Sequence, residues 1–408
     1  MNNKKTFIIV GIIILLLIVI SGGVWFFLSK EPAQNQTQNT NPFGESGNEN
    51  SNVPITGNSE NPSGESFAST PFTPTERLNR ISTSPISGAT FYPQGSSTIV
   101  RYIEKATGHI YDINLSDGTR NRITNTTNPK VSEVAWKNES SFVLSFDEQN
   151  VIKSILGTIS SSTSSTTQAE KELLTKDLLS NPINVVFSPS KKTVFYTLVN
   201  SLGIEGFLSD TSFQKSTLVW EFPTSEWIVS WPKDDILTLT TKASSGKNGS
   251  LYFLNPINKK FTKIIGGIPG LTTNTSPAGS LILYSSSIND QTSLYLYDVS
   301  SHISLDVGIV SLPEKCIWSD AIIYCAVSKN GLGSDVPEKW YQGIASYTDT
   351  LWKINLGGAE GLEESEYFDI SKSAGGPIDL INPQLSDDKK ILIFTNKRDS
   401  YLWALTIE

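Results

Sequence analysis

Hydrophobic and polar positions follow two unlike patterns along this chain. From Phe7 to Leu28 the sequence FIIVGIIILLLIVISGGVWFFL carries no charge. At roughly 1.5 Å per helical residue such a run crosses a hydrocarbon core of about 30 Å, and in lipid only a helix satisfies its backbone. Beyond about Arg77 the apolar residues come in short runs instead. An apolar strand ending in a bulky residue, a polar turn and a second strand recur as GATFYPQGSSTIVRYI around Phe91, SEVAWKNESSFVLSF around Trp136, NVVFSPSKKTVFYTL around Phe187 and IVSWPKDDILTLTT around Trp231. The unit continues as TNTSPAGSLILYSSS around Thr275, KCIWSDAIIYCAVS around Trp318 and PQLSDDKKILIFTN around Leu385, which makes seven copies.

A third strand follows in each unit and is often aromatic, as in His109 to Leu115, Ser250 to Leu254, Ser293 to Val299, Thr350 to Leu356 and Tyr401 to Leu405. Aromatic and β-branched residues suit a pleated surface, and turn dipeptides such as Asp117-Gly118, Asn248-Gly249 and Asn330-Gly331 punctuate them. Fourth strands are weaker, for example Arg120 to Thr124 and Leu218 to Phe222. A repeat of about 40 to 50 residues built this way indicates blades around an axis. The last unit ends one strand short, and Arg77 to Ser82 resembles the fourth strand Arg120 to Thr124. The pattern therefore predicts an all-β, seven-bladed β-propeller over residues 76–408, with an amino-terminal strand completing the last blade and leaving no open edge at the seam.

Units such as VVFSPSKKTVFYTL and SPAGSLILYSSSINDQTSLYLYDVSS resemble the repeats of TolB-type and WD-like β-propellers. The usual Ser-Pro-Asp-Gly turn of that family stands here as Ser188-Pro189-Ser190-Lys191 and Ser276-Pro277-Ala278-Gly279. The stretch from Lys315 to Trp352 is also similar to one in uncharacterised single-span bacterial membrane proteins. The resemblance implies the fold and a membrane address; propellers host unrelated functions, so it implies no activity.

Residues 1–6 are expected to be a short cytoplasmic terminus, 7–28 a signal anchor and 29–75 a disordered linker. A cleavable signal peptide is the competing reading, because Lys4 and Lys5 precede the apolar run. Against it, Val24 to Leu28 turn apolar again where a cleavage site would stand. Lys4 and Lys5 on one flank, against Lys30 followed by Glu31 on the other, favour the amino terminus inside and the body outside the cytoplasm. The Asn-, Ser-, Gly- and Pro-rich linker buries too little surface to offset its ordering entropy, and coil statistics give it a reach of about 35 to 40 Å.

A net charge of −8 offers no basic field to nucleic acid. Cys316 and Cys325 fall on the first two strands of one blade; they form either a cross-strand disulfide, which an extracytoplasmic address permits, or two buried thiols. His109 and His302 are the only histidines and lack metal-ligand spacing, and no catalytic or cofactor motif is present, so no metal or cofactor is expected. Asp234-Asp235 and Asp387-Asp388 suit turns. The irregular sixth unit inserts SKNGLGSDVPEKWYQGIASYTD between its second and third strands; Trp340, Tyr341 and Tyr347 there form either a binding loop or a lid folded onto the blade. The expected function is non-enzymatic: a propeller in the cell membrane, held to the bilayer by residues 7–28, that binds or scaffolds a protein, peptide or glycan at the envelope. The alternative is a hydrolase or lyase using carboxylates in the central funnel, for which Glu133 is one of few candidates.

Overall fold

The computed structural model describes residues 76–160, 171–178, 181–242, 244–358 and 361–407. The predicted cytoplasmic terminus, signal anchor and linker lie outside these residues. Among the described residues no helix is long and apolar enough to cross a membrane.

From Glu76 onward the chain forms seven four-stranded antiparallel sheets. Blades 1 to 6 are consecutive meanders whose first strands are Ile86–Gln94, Val131–Asn138, Ile183–Phe187, Trp227–Lys233, Thr272–Thr275 and Cys316–Ser319. Blade 7 takes Leu380–Leu385, Ile391–Asn396 and Leu402–Thr406 from the carboxy-terminal end and Leu78–Arg80 from the start of the body. Leu78 pairs with Leu405, Asn79 with Ala404 and Arg80 with Trp403, as the sequence pattern predicts for the seam. One expected turn is placed differently. Asn248-Gly249 opens a third strand, Asn248–Leu254, because the turn before it closes through Lys247 N to Ser244 O.

Seven apolar clusters fill the blade interfaces, one each, and so close the ring. Ile103 and Ile110 of blade 1 meet Phe142 and Leu144 of blade 2, and Phe195 and Trp220 of blade 3 meet Trp227, Leu237 and Leu254 of blade 4. Blades 6 and 7 meet through Tyr324 and Leu351 against Leu380 and Phe394, while Ile393 and Leu402 of blade 7 meet Ala89 and Val100 of blade 1. A second strand lies between two neighbouring sheets and is buried on both faces. That is why Phe142 to Ser145 and Ile323 to Ala326 are unbroken buried runs and not alternating ones. Each large side chain so buried contributes about 1.5–3 kcal/mol.

First strands line the axis and are stitched to one another. Ser87 Oγ donates to Val131 O at 2.7 Å, Gln384 Nε2 to Ala89 O at 3.1 Å, and Asn274 Nδ2 to Cys316 O at 2.8 Å.

Candidate functional site

In a meander the first-to-second and third-to-fourth turns share one end of the ring, and the second-to-third turns share the other with the blade-to-blade connections. Contacts between blades keep this order. At the first end Ser190 N donates to Asp234 Oδ1 and Lys389 pairs with Asp320, turn to turn. Glu76, which precedes the seam strand, also stands there. The second end carries the irregular loop and is the candidate site.

Residues 329–348 arch over this end from blade 6, with a short helix at Glu338–Tyr341. Trp340 and Tyr347 are 4% and 6% exposed and pack with Leu312, Leu332 and Val336; Tyr341 is half-buried against the same group. The binding-loop alternative for Trp340, Tyr341 and Tyr347 therefore gives way to the lid: the rings face inward because their polar atoms have partners beneath. Trp340 Nε1 donates to Asp379 Oδ2 at 3.2 Å, Tyr347 OH to Leu332 O at 3.0 Å, and Tyr341 OH to Glu314 Oε1. Burial drives the Tyr341 phenol well above its usual range and raises Tyr347 to about 12. The lid is also held at its margins. Glu338 accepts from Ser245 N and Oγ on blade 4, both at 2.7 Å, and Arg398 Nε of blade 7 donates to Tyr347 O at 3.3 Å.

Beneath the lid lies an ion cluster closed to solvent. Lys315, in the one-turn helix Pro313–Lys315, contacts Asp349 Oδ2 at 2.7 Å and Asp379 Oδ1 at 2.5 Å, and all three side chains are 0% exposed. Leu380 N donates to the same Asp349 Oδ2, leaving Asp349 Oδ1 buried without a partner, while Tyr347 N meets the second oxygen of Asp379, Oδ2. Burial raises the Asp349 carboxyl despite the opposing pull of Lys315. With no route for a substrate, this cluster pins the loop; its stabilisation lies in the cost of breaking it. Next to it, Cys316 and Cys325 are register partners joined by a disulfide, with Cα atoms 4.1 Å apart, inside the core between blades 5 and 6.

The lid's contacts reach blades 4, 6 and 7, and among the described residues none reaches blades 1 to 3. The first strands of blades 4, 5 and 6 start in regular register. In blades 7, 1, 2 and 3 the first strand is bulged near its start, around Asn382, Ser87, Ser132 and Asn184. Asn184 and Asn382 sit at the same offset in their blades, with φ of 49° and 51°, a left-handed conformation that Asn tolerates better than most residues. Bulges re-aim side chains, and here one follows immediately on Ser132: Glu133 is exposed on a strand that neighbours flank on both sides, so it faces the axial channel. Its carboxyl is raised, with desolvation by the surrounding blades as the only cause. Around this half the loops of blades 2 and 3 expose Val151, Ile152, Ile183, Val199 and Leu202, the last at 85%. A cleft of about 220 Å³ runs along the flank between these blades, from Pro182 past Tyr196 to Phe213 in the third-to-fourth turn at the other end.

The histidines lie apart. His109 Nε2 is 3.2 Å from Thr127 Oγ1, and His302 Nδ1 is 2.7 Å from Tyr297 OH in a turn. Among the described residues no group of His, Cys, Asp or Glu has metal-binding geometry. Asp388 accepts from Ser386 Oγ and Lys390 N, the local bonding expected of a turn aspartate. Two features are not legible in the sequence: the buried triad, whose members are far apart in the chain, and the bulges, which only register exposes.

No protein-family model matches the chain, and no curated protein matches it. Its fold is similar to those of solved propeller structures. TolB from Acinetobacter baumannii shares 12% identity with a TM-score of 0.40, over 78% of this chain and 65% of that one. The tricorn protease shares 9% with a TM-score of 0.50, over 81% of this chain and 34% of that one, so the chain spans about a third of that protein. The β-propeller domain of the Trilobed protease from Pyrococcus furiosus, described as having an open velcro topology, shares 10% with a TM-score of 0.50, over 80% and 95%. At such identities the likeness concerns the fold: this chain is a seven-bladed β-propeller, closed at its seam by Leu78–Arg80.

Proposed function

We propose that the protein is a membrane-anchored, extracytoplasmic propeller that binds a protein, peptide or glycan at the cell envelope, without catalysis, through the unlidded half of its channel mouth. One observation carries the reading: aliphatic side chains from blades 2 and 3 are exposed together on the rim of a channel whose opposite rim is sealed by a packed lid. A rigid scaffold presenting loops is how folds of this kind offer a surface, and clustered exposed apolar groups mark interaction sites. The uncharged run from Phe7 to Leu28 supports the anchor. The Cys316–Cys325 disulfide supports an oxidising compartment.

The alternative of an envelope hydrolase or lyase rests on the raised carboxyl of Glu133. A two-carboxylate mechanism needs a partner across the substrate, and among the described first strands Glu133 is the only acidic residue, which favours binding. The test is capture from crosslinked envelopes with the purified body. The captured species is expected to disappear with Leu202→Asp and Val199→Asp and to persist with Ile257→Asp, which lies at the opposite end. Indifference to the first two variants, or turnover of an envelope glycan or peptide by the body, overturns the proposal.

A further inference from the structure

Resting on that reading, we infer that the ligand is a peptide segment bearing a primary amine, from lysine or a free amino terminus, beside aliphatic side chains, with Glu133 as the counter-charge of the amine. Glu133 is exposed at the channel mouth, and among the described residues its carboxyl has neither an ion pair nor a hydrogen bond. A carboxylate at the mouth with no cation in contact is left uncompensated, and an ammonium group delivered by a ligand supplies the missing partner.

The surroundings carry both signs, with exposed Lys105 and Lys130 on the blade 1 side and acidic groups towards blade 3. At this end of blades 2 and 3 stand Glu148, Glu205 and Glu221, while Lys153 is already held by Glu148. On the bulged strands Ser87, Ser132 and Asn184 donate inward, to Val131 O, Ser145 O and Thr197 Oγ1, which leaves their oxygens as acceptors for ligand N–H groups. The choice of peptide over glycan follows from the rim. Its exposed groups are Val151, Ile152, Ile183, Val199 and Leu202, all aliphatic, which fit leucine- or valine-like side chains; a sugar face is better served by aromatic rings, and a neutral glycan brings no cation.

The experiment uses the purified body and an array of randomised hexapeptides, each with a free and with an acetylated amino terminus. The parent protein is expected to retain peptides that combine an amine with two or more aliphatic residues. Glu133→Gln should weaken them about tenfold to a hundredfold, the range for a hydrogen bond to a charged group. Leu202→Asp should abolish retention whatever the peptide charge. Equal affinity of the parent and Glu133→Gln for the retained peptides, or preferential retention of acidic ones, overturns the inference and leaves the binding face standing. Absence of any retained peptide with the parent overturns the inference and counts against the binding reading as well. Thermal unfolding of Glu133→Gln at or above the parent temperature separates loss of ligand from loss of fold.

Discussion

Replacing Lys315 by Met is the sharpest test of how the lid is held. The side chain is 0% exposed and lies between Asp349 Oδ2 at 2.7 Å and Asp379 Oδ1 at 2.5 Å. Removing it leaves two carboxylates in the core with donors from Leu380 N, Tyr347 N and Trp340 Nε1 but no cation in contact, since Lys397 acts on Asp379 only from across the Trp340 ring. Breaking a buried pair in this way costs about 3–5 kcal/mol. At about 2 °C per kcal/mol for a large domain, the melting temperature should fall about 6–10 °C. Adding Asp349→Asn and Asp379→Asn to Lys315→Met should recover about half of the loss, since no uncompensated charge then remains. The pH dependence has a definite sign. Burial already raises the Asp349 carboxyl, and Lys315 is the group that opposes the rise, so the variant raises it further. A carboxyl whose folded pKa lies above its unfolded value favours the folded state at low pH and loses that contribution as pH rises through the folded pKa. The deficit of Lys315→Met should therefore shrink as pH is lowered from neutrality towards the carboxylate range. A loss under about 1 kcal/mol, or no recovery in the triple variant, refutes the electrostatic account and leaves only packing.

Trp340→Ala removes a ring that is 4% exposed and should cost about 3–5 kcal/mol in denaturant unfolding, with faster proteolysis within 329–348; an unchanged midpoint would return the loop to the surface. Glu338→Ala should accelerate amide exchange in the lid while leaving global unfolding nearly untouched, because the half-buried latch lies at the lid's margin, outside the blade cores. Burial pushes the Glu338 carboxyl up, but the Ser245 donors outweigh it and carry the group below its ordinary value. The latch is thus present above the unfolded pKa of glutamate and lost as pH falls through the lower folded value, which exchange measured across acid pH would report. Deleting residues 76–82 should bare the edge of Leu402–Thr406 and produce dimers or aggregates on size exclusion; a stable monomer would contradict the seam. Glu133→Gln should melt no lower than the parent at neutral pH, since the parent carboxyl is destabilised by desolvation when ionised.

The ring and its seam were legible because each blade repeats a local pattern, and because Arg77 to Ser82 carries the likeness of Arg120 to Thr124 in residues close to one another in the chain. The Cys316 and Cys325 pair was legible as two alternatives, since strand spacing put both on one blade and only register made them partners. The lid was not decidable from sequence. Trp340, Tyr341 and Tyr347 have the composition of a recognition loop, and what turns them inward is Asp379 and Glu314, brought there by other connections of the ring. The bulges at Ser132 and Asn184 leave the hydrophobic pattern almost unchanged, so the open half of the mouth could be found only from strand pairing.

The seam also fixes an order of events in biosynthesis. Leu78 is made first and its partner Leu405 last, so the earliest strand must wait, unpaired, for nearly the whole body to be produced. Contacts this distant in sequence form slowly, and until then the nascent particle is an open arc with one raw flank. Any messenger or proteolytic accident that removes the stretch after Ile391 leaves the same flank exposed, which gives chaperones and proteases a single place at which to recognise an unfinished molecule.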